Sequence, residues 1–152
     1  MSEIKQQSFE QSIPSIDAVK HVKGESVFTN DIPHTKDCLF AAVGWSEKAH
    51  AMIKSIDLRE VMKDPDVKAI VTANDIPGLN DCGAVVKGDP IFVQEKGVVM
   101  YQGQPLFGVA CTSRKAALKA VRKAKIKYKA FKPIVTIKEA LKKKSFIDKP
   151  TT

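Results

Sequence analysis

No apolar run in this chain of 152 residues approaches the roughly 18–20 residues that a membrane-spanning helix needs. The longest, residues 39–43 and residues 106–109 around Gly108, are far shorter, so no membrane association is expected. Residues 1–7 lack the basic and apolar regions of a secretory signal and are not Arg-rich like a transit peptide, which makes a cytoplasmic location the expectation. Cysteine is scarce: Cys38, Cys82 and Cys111 are odd in number and contain no Cys-x-x-Cys pair, which argues against a zinc site and dithiol redox chemistry and leaves them as buried thiols. His34 and Cys38 stand four apart, but no second pair completes a set of about four metal ligands. The only histidines are His21, His34 and His50, none in a catalytic motif, and His50 between two alanines is read as a hydrogen-bonded structural residue. Arginine is also rare, only Arg59, Arg114 and Arg122 among 25 basic residues, so sequence-specific nucleic-acid readout is disfavoured.

What is present is an ordinary globular composition, 43% hydrophobic and 28% charged with 8 Gly and 8 Pro, enough for one buried core. The net charge of +8 is unevenly distributed. Residues 1–112 carry 11 basic and 15 acidic side chains, net −4, whereas residues 113–152 carry 14 and 2, net +12. The basic stretch is read as a solvated lysine face or a contact surface for an acidic partner.

The polar first dozen residues, and Ile13, Ile16 and Val19 around Pro14, suggest an extended lead-in that Gly24 closes. Residues 39–45, 51–56 and 67–72 read as strands because they are short, apolar and bounded by polar or turn residues. Asp57 and Glu60 form the pattern of a capping box for a short helix over residues 58–62. Residues 74–90, with three glycines and two prolines, predict a long ordered loop in which Asp75 and Asp81 form turns and Gly78 takes a positive φ. Residues 91–93 and 98–100 flank Glu95-Lys96-Gly97 as a hairpin would. Tyr101-Gln102-Gly103-Gln104-Pro105 precedes a strand over residues 106–111, not a helix, which argues against phosphate binding. Apolar residues at 116, 117, 120, 121 and 124 mark a helix opening at Thr112 or Ser113. The period then changes to two from Lys125, predicting a half-buried strand and, with the helix before it, a right-handed crossover. Thr136 and Glu139 mark a capping box for a last short helix.

Several segments together resemble the α/β hammerhead domain of the molybdenum-containing hydroxylases, aldehyde oxidase and xanthine dehydrogenase. They are Gly24-Glu25-Ser26-Val27-Phe28-Thr29-Asn30-Asp31-Ile32-Pro33, Ala49-His50-Ala51-Met52-Ile53 with Ile56-Asp57, Asp75-Ile76-Pro77-Gly78-Leu79-Asn80, Tyr101-Gln102-Gly103-Gln104-Pro105, the alanine-rich helix and Ile126-Lys127-Tyr128. Phe28 stands where the family usually has Tyr, Glu47 where it has Pro, Lys129 where it has Glu, and Cys111 where an acidic residue is frequent. The resemblance implies an α+β, mixed α/β hammerhead with a mixed sheet, one main crossover helix and short helices. It also implies a lead-in over 1–23, the hammerhead over 24–142 and a basic tail or linker over 143–152. The implied activity is hydroxylation of a heteroaromatic or aldehyde carbon with water at a molybdenum cofactor, with electrons leaving through iron-sulfur clusters to FAD. The cofactor motifs of that family are absent from this chain, so no catalytic, cofactor-binding or metal residue is assigned, and the expected partners are a downstream molybdopterin-binding domain and iron-sulfur and FAD domains or subunits. The chain is then a truncated product or expressed fragment of the molybdenum-binding subunit, inactive alone, and Gly83, Ala84, Val85 and Val86 are expected beside the substrate funnel as wall. The alternative is a free-standing small binding or scaffold protein whose lysine face holds an acidic partner or nucleic acid.

Overall fold

The computed structural model describes residues 14–146. The chain divides into two compact units, Met1–Asp37 and Cys38–Thr152. In the first, helix α1 spans Ala18–Lys23, and Gly24 ends it with a left-handed φ of 70° while its N–H reaches back to the His21 carbonyl. This corrects the extended reading at Val19: six residues are too few to display a helical period, whereas the glycine stop and the basic last turn, Lys20, His21 and Lys23, are ordinary helix-end chemistry. The part of the expected lead-in before Pro14 lies outside the described residues. Further along, a 3-10 turn over Thr29–Asp31 is closed by Asp31, whose carboxylate accepts the Phe28 N–H at 3.0 Å.

The second unit holds two three-stranded antiparallel sheets. The first has the order β1-β5-β3, with β1 over Phe40–Trp45, β5 over Pro105–Cys111 and β3 over Val67–Thr72. The second has the order β4-β2-β6, with β4 over Val98–Val99, β2 over Ala51–Asp57 and β6 over Lys125–Ala130. Helix α2 covers Arg59–Met62, α3 Arg114–Val121 and α4 Ile137–Lys143. The α+β class is thus as expected. The mixed sheet and the crossover are not: every strand pairing is antiparallel, and β5 and β6, which flank α3, belong to different sheets, so α3 links the two sheets instead of returning the chain to a parallel neighbour.

One hydrophobic core joins the sheets. Its fully buried members include Ile53 of β2, Val99 of β4, Val61 of α2, Leu106, Phe107 and Cys111 of β5, and Ala117 and Ala120 of α3. β5 is central and buried on both faces, which is why its sequence is nearly continuously apolar and does not alternate. Helix α3 packs mainly on β1 and β5, and its alanines let it approach closely; Ser113 caps it by accepting the Ala116 N–H at 3.2 Å. Gly44 of β1 lies opposite Phe107 in the ladder, and a side chain at Gly44 would fall on the Phe107 ring.

At the start of α2, Asp57 accepts the Arg59 N–H at 3.1 Å and grips the Arg59 guanidinium at 2.7 Å, while Glu60 turns to Lys63. The expected Asp57–Glu60 box is therefore replaced by two local ion pairs. Residues 91–93 and 98–100 do not pair as a hairpin. Val93 donates instead to the Pro105 carbonyl, and β4 pairs with β2. The 94–97 turn docks on β2: Lys96 N–H donates to Ile53 O and Ile53 N–H to Gly97 O, both at 2.9 Å, and the Glu95 carboxylate accepts the Ile56 N–H at 2.7 Å beside the irregularity in β2. Of the three thiols only Cys111 is buried; Cys38 is half-buried and Cys82 exposed. The buried-thiol reading fails for Cys82 because it sits in a loop, where no strand period places it inward.

The Tyr101–Pro105 motif is structural. Gly103, at φ 90°, donates to the Ser46 carbonyl at 2.8 Å, Ser46 donates to the Gln104 carbonyl at 2.9 Å, and the buried Gln104 side chain accepts the Met100 N–H at 2.8 Å. These bonds fasten the end of β1 to the start of β5. Strand β6 forms one edge of its sheet, with Lys125, Lys127 and Lys129 exposed and Ile126 and Tyr128 half-buried.

Candidate functional site

The long loop leaves β3 through a 3-10 turn over Ala73–Asp75, where the Asp75 carboxylate accepts the Thr72 N–H at 2.8 Å and the Thr72 hydroxyl at 2.7 Å. Those two bonds, the hydroxyl first, hold Asp75 below the usual carboxylate range. Gly78 follows at φ 91° with open space around it, so substitution there meets backbone strain and no collision. Gly78→Val is expected to destabilise the protein by about 1–3 kcal/mol. Denaturant midpoints test this, and an unchanged midpoint would show that the turn does not depend on glycine.

Beyond Gly78 the loop is tied at its base. The Asn80 side chain donates to the Phe92 carbonyl at 2.7 Å and accepts the Phe92 N–H at 3.1 Å, imitating a strand pair. Asp81 then bridges the loop: one carboxylate oxygen accepts the Gly83 N–H at 2.8 Å and the other accepts the Gly88 N–H at 2.7 Å. The Cys82 N–H donates to the Asp89 carbonyl at 2.8 Å, and Lys87 Nζ donates to the Gly83 carbonyl at 2.8 Å. Gly83 is folded so tightly that a side chain on it would strike the Val86 carbonyl.

The result is a closed tip, residues 83–88, that holds its apolar side chains out from the protein. Val85 is 94% and Val86 74% exposed, Ala84 is exposed and Gly83 half-buried. Leu79, 79% exposed, stands near the loop's start. The four residues expected to line a funnel are therefore brought together on one projection. Asp75 and Asp81 act separately, each on its own turn. Asn80 and the bridging by Asp81 were not read from the sequence, and their only signal is Asn and Asp next to glycines in a loop.

The electrostatics of the tip follow from these bonds. The Gly88 N–H, then the Gly83 N–H, and then the Lys87 charge hold the Asp81 carboxyl below its ordinary value. Desolvation, followed by the Asp89 carboxylate, pushes the Cys82 thiol up, so it is a poor nucleophile at neutral pH. Because Asp81 has a lower pKa folded than unfolded, its stabilisation is fully present above about pH 3.9 and is lost as pH falls through the folded value. The Gly83 and Gly88 amide shifts should titrate together with a midpoint below about 3.9. NMR at stepped pH checks this, and two separate midpoints would contradict a shared carboxylate.

Other candidates carry less. A cleft of about 210 Å³ between Ile56, Leu58, Thr72, Val93, Glu95 and Leu106 is small, and its one carboxylate is engaged by the Ile56 N–H. His50 packs against the Phe131 ring at 4.9 Å between centroids. Among the described residues no three His, Cys, Asp or Glu side chains converge as a metal site would require, so the donors present do not fit an iron-sulfur cluster. Nor is any described helix long and apolar enough to cross a membrane.

Residues 23–132 match the family model described as aldehyde oxidase and xanthine dehydrogenase, a/b hammerhead domain, and the chain belongs to this family. Xanthine dehydrogenase of Dictyostelium discoideum is 36% identical over 136 residues, 90% of this chain and 10% of that protein. Aldehyde oxidase 2 of Macaca fascicularis is 38% identical over 136 residues, again 10% of its length. Among solved structures, the aldehyde oxidoreductase from Desulfovibrio desulfuricans superposes with a TM-score of 0.70 at 29% identity, covering 86% of this chain and 15% of that one. The chain thus spans about a tenth of the length of the curated relatives it matches.

Proposed function

We propose that this chain serves as the hammerhead domain of a xanthine dehydrogenase or aldehyde oxidase type of molybdenum hydroxylase, an oxidoreductase acting on a heteroaromatic or aldehyde carbon. In this reading the lead-in is 1–23, the domain 24–142 and the basic tail or linker 143–152. The molybdenum cofactor, iron-sulfur clusters and FAD would sit on other domains or subunits, and the enzyme would work in the cytoplasm. The bound molybdenum cofactor would supply the hydroxylation chemistry. This chain contributes no catalytic group; its part is to shape the approach to the reacting centre through Gly83, Ala84, Val85 and Val86.

The observation that carries the reading is the closed tip with Val85 and Val86 projecting from it. A braced apolar projection is the kind of surface that meets another domain or a ligand, and small apolar side chains of this kind suit the wall of a substrate pocket. Such a wall selects by size. In the complete enzyme, Val85→Trp should lower kcat/KM for a bulky substrate by about 10-fold or more relative to a small one, since overfilling a packed wall costs about 1–3 kcal/mol only for ligands that fill the space. Both substrates are assayed on wild type and variant matched for molybdenum content. Equal losses, or none, would show that the tip faces away from the funnel.

A further inference from the structure

We infer that Asp81 is a positioning residue: its two carboxylate oxygens, one on the Gly83 N–H and the other on the Gly88 N–H, set the direction in which Ala84, Val85 and Val86 project. The consequence for substrate rests on the funnel reading above; the clamp itself does not.

Geometry makes the argument. The two amides lie at opposite ends of the tip, and a single short side chain satisfies both, at 2.8 and 2.7 Å. Only an ionised carboxylate presents acceptors on both arms; an amide of the same shape must turn its NH₂ toward one of the N–H groups and leave donor facing donor. The charged groups around it are Lys87, whose ammonium lies on the Gly83 carbonyl at 2.8 Å, and Asp89, whose carbonyl closes the base through the Cys82 N–H. The tip has no buried core of its own to hold its shape, because Ala84, Val85, Val86, Lys87 and Gly88 are all exposed. Its conformation therefore depends on these few bonds, and Asp81 supplies two of them, one at each end of the tip. Asp81 touches no reacting atom; it acts through the valines.

The test compares Asp81→Asn and Asp81→Glu with wild type. In the 152-residue chain, amide exchange at Gly83 or Gly88, whichever the Asn NH₂ faces, should accelerate at least about tenfold in Asp81→Asn while the core amides of β5 are unchanged. Asp81→Glu, which keeps the charge but moves the oxygens outward, should accelerate both. In the complete enzyme, Asp81→Asn should shift the kcat/KM ratio between a bulky and a small substrate, carried mainly by KM, with molybdenum content constant. Unchanged exchange in Asp81→Asn overturns the clamp, and wild-type exchange in Asp81→Glu would show that charge acts without bridging, which also overturns it. If Val85→Trp discriminates by size and Asp81→Asn leaves the ratio unchanged, the positioning role falls. If Val85→Trp itself fails to discriminate, the funnel reading falls and the exchange result alone decides the clamp.

Discussion

Gly44→Val should cost at least about 3 kcal/mol, the upper end of ordinary overpacking. A Cβ at this position would occupy the space of the Phe107 ring, and neither strand can retreat: Gly44 and Phe107 are ladder partners in the β1–β5 pair, and Phe107 is also paired with Thr72 on the far side. Moving the ring means turning a fully buried phenylalanine into a neighbour that is already packed. Urea midpoints and near-ultraviolet circular dichroism measure the loss. A variant with wild-type midpoint would show that the ring has somewhere to go.

The second large effect is the converse. Phe107→Ala should cost about 3–5 kcal/mol, through lost transfer free energy and the cavity left behind. The two positions should also be coupled: Gly44→Ala should be less harmful in the Phe107→Ala background than in wild type, because the added methyl enters the vacated space. Additive losses in that double-mutant cycle would mean that the collision at Gly44 is relieved by backbone shift and not by the ring.

Why glycine stands at 44 was not legible in the sequence, because the need for it is created by a residue more than sixty positions away. What could be read was local. The alternation of Lys125, Ile126, Lys127, Tyr128 and Lys129 marked β6, Ser113 marked the start of α3, and Thr136 marked that of α4, where its hydroxyl accepts the Glu139 N–H at 3.2 Å. The failures of topology share a cause. The supposed hairpin around residues 95–97 and the crossover through α3 both turn on which distant backbone offers a partner: Ile53 and Pro105 capture the 93–97 segment, and β6 finds β2 instead of β5; Cys82 is misread for a local reason, since a loop has no period that turns a side chain inward. At the candidate site, the loop and the turn-forming role of Asp75 and Asp81 could be read from glycine, proline and aspartate chemistry. That one carboxylate spans residues 83 and 88 could not, since the sequence carries no period in a loop.

The lysines of β6 have a consequence for the protein's behaviour in bulk. An edge strand offers a row of unpaired peptide groups to any other chain, and a flat apolar edge invites sheet-to-sheet polymerisation. Here every second residue from 125 to 129 is an exposed lysine. Two copies approaching edge to edge would bring like charges face to face, beside the strand's two strong β formers, Ile126 and Tyr128. Salt should therefore work against colloidal stability: screening these ammonium groups removes the barrier to self-association while leaving the fold, whose core does not involve them, intact.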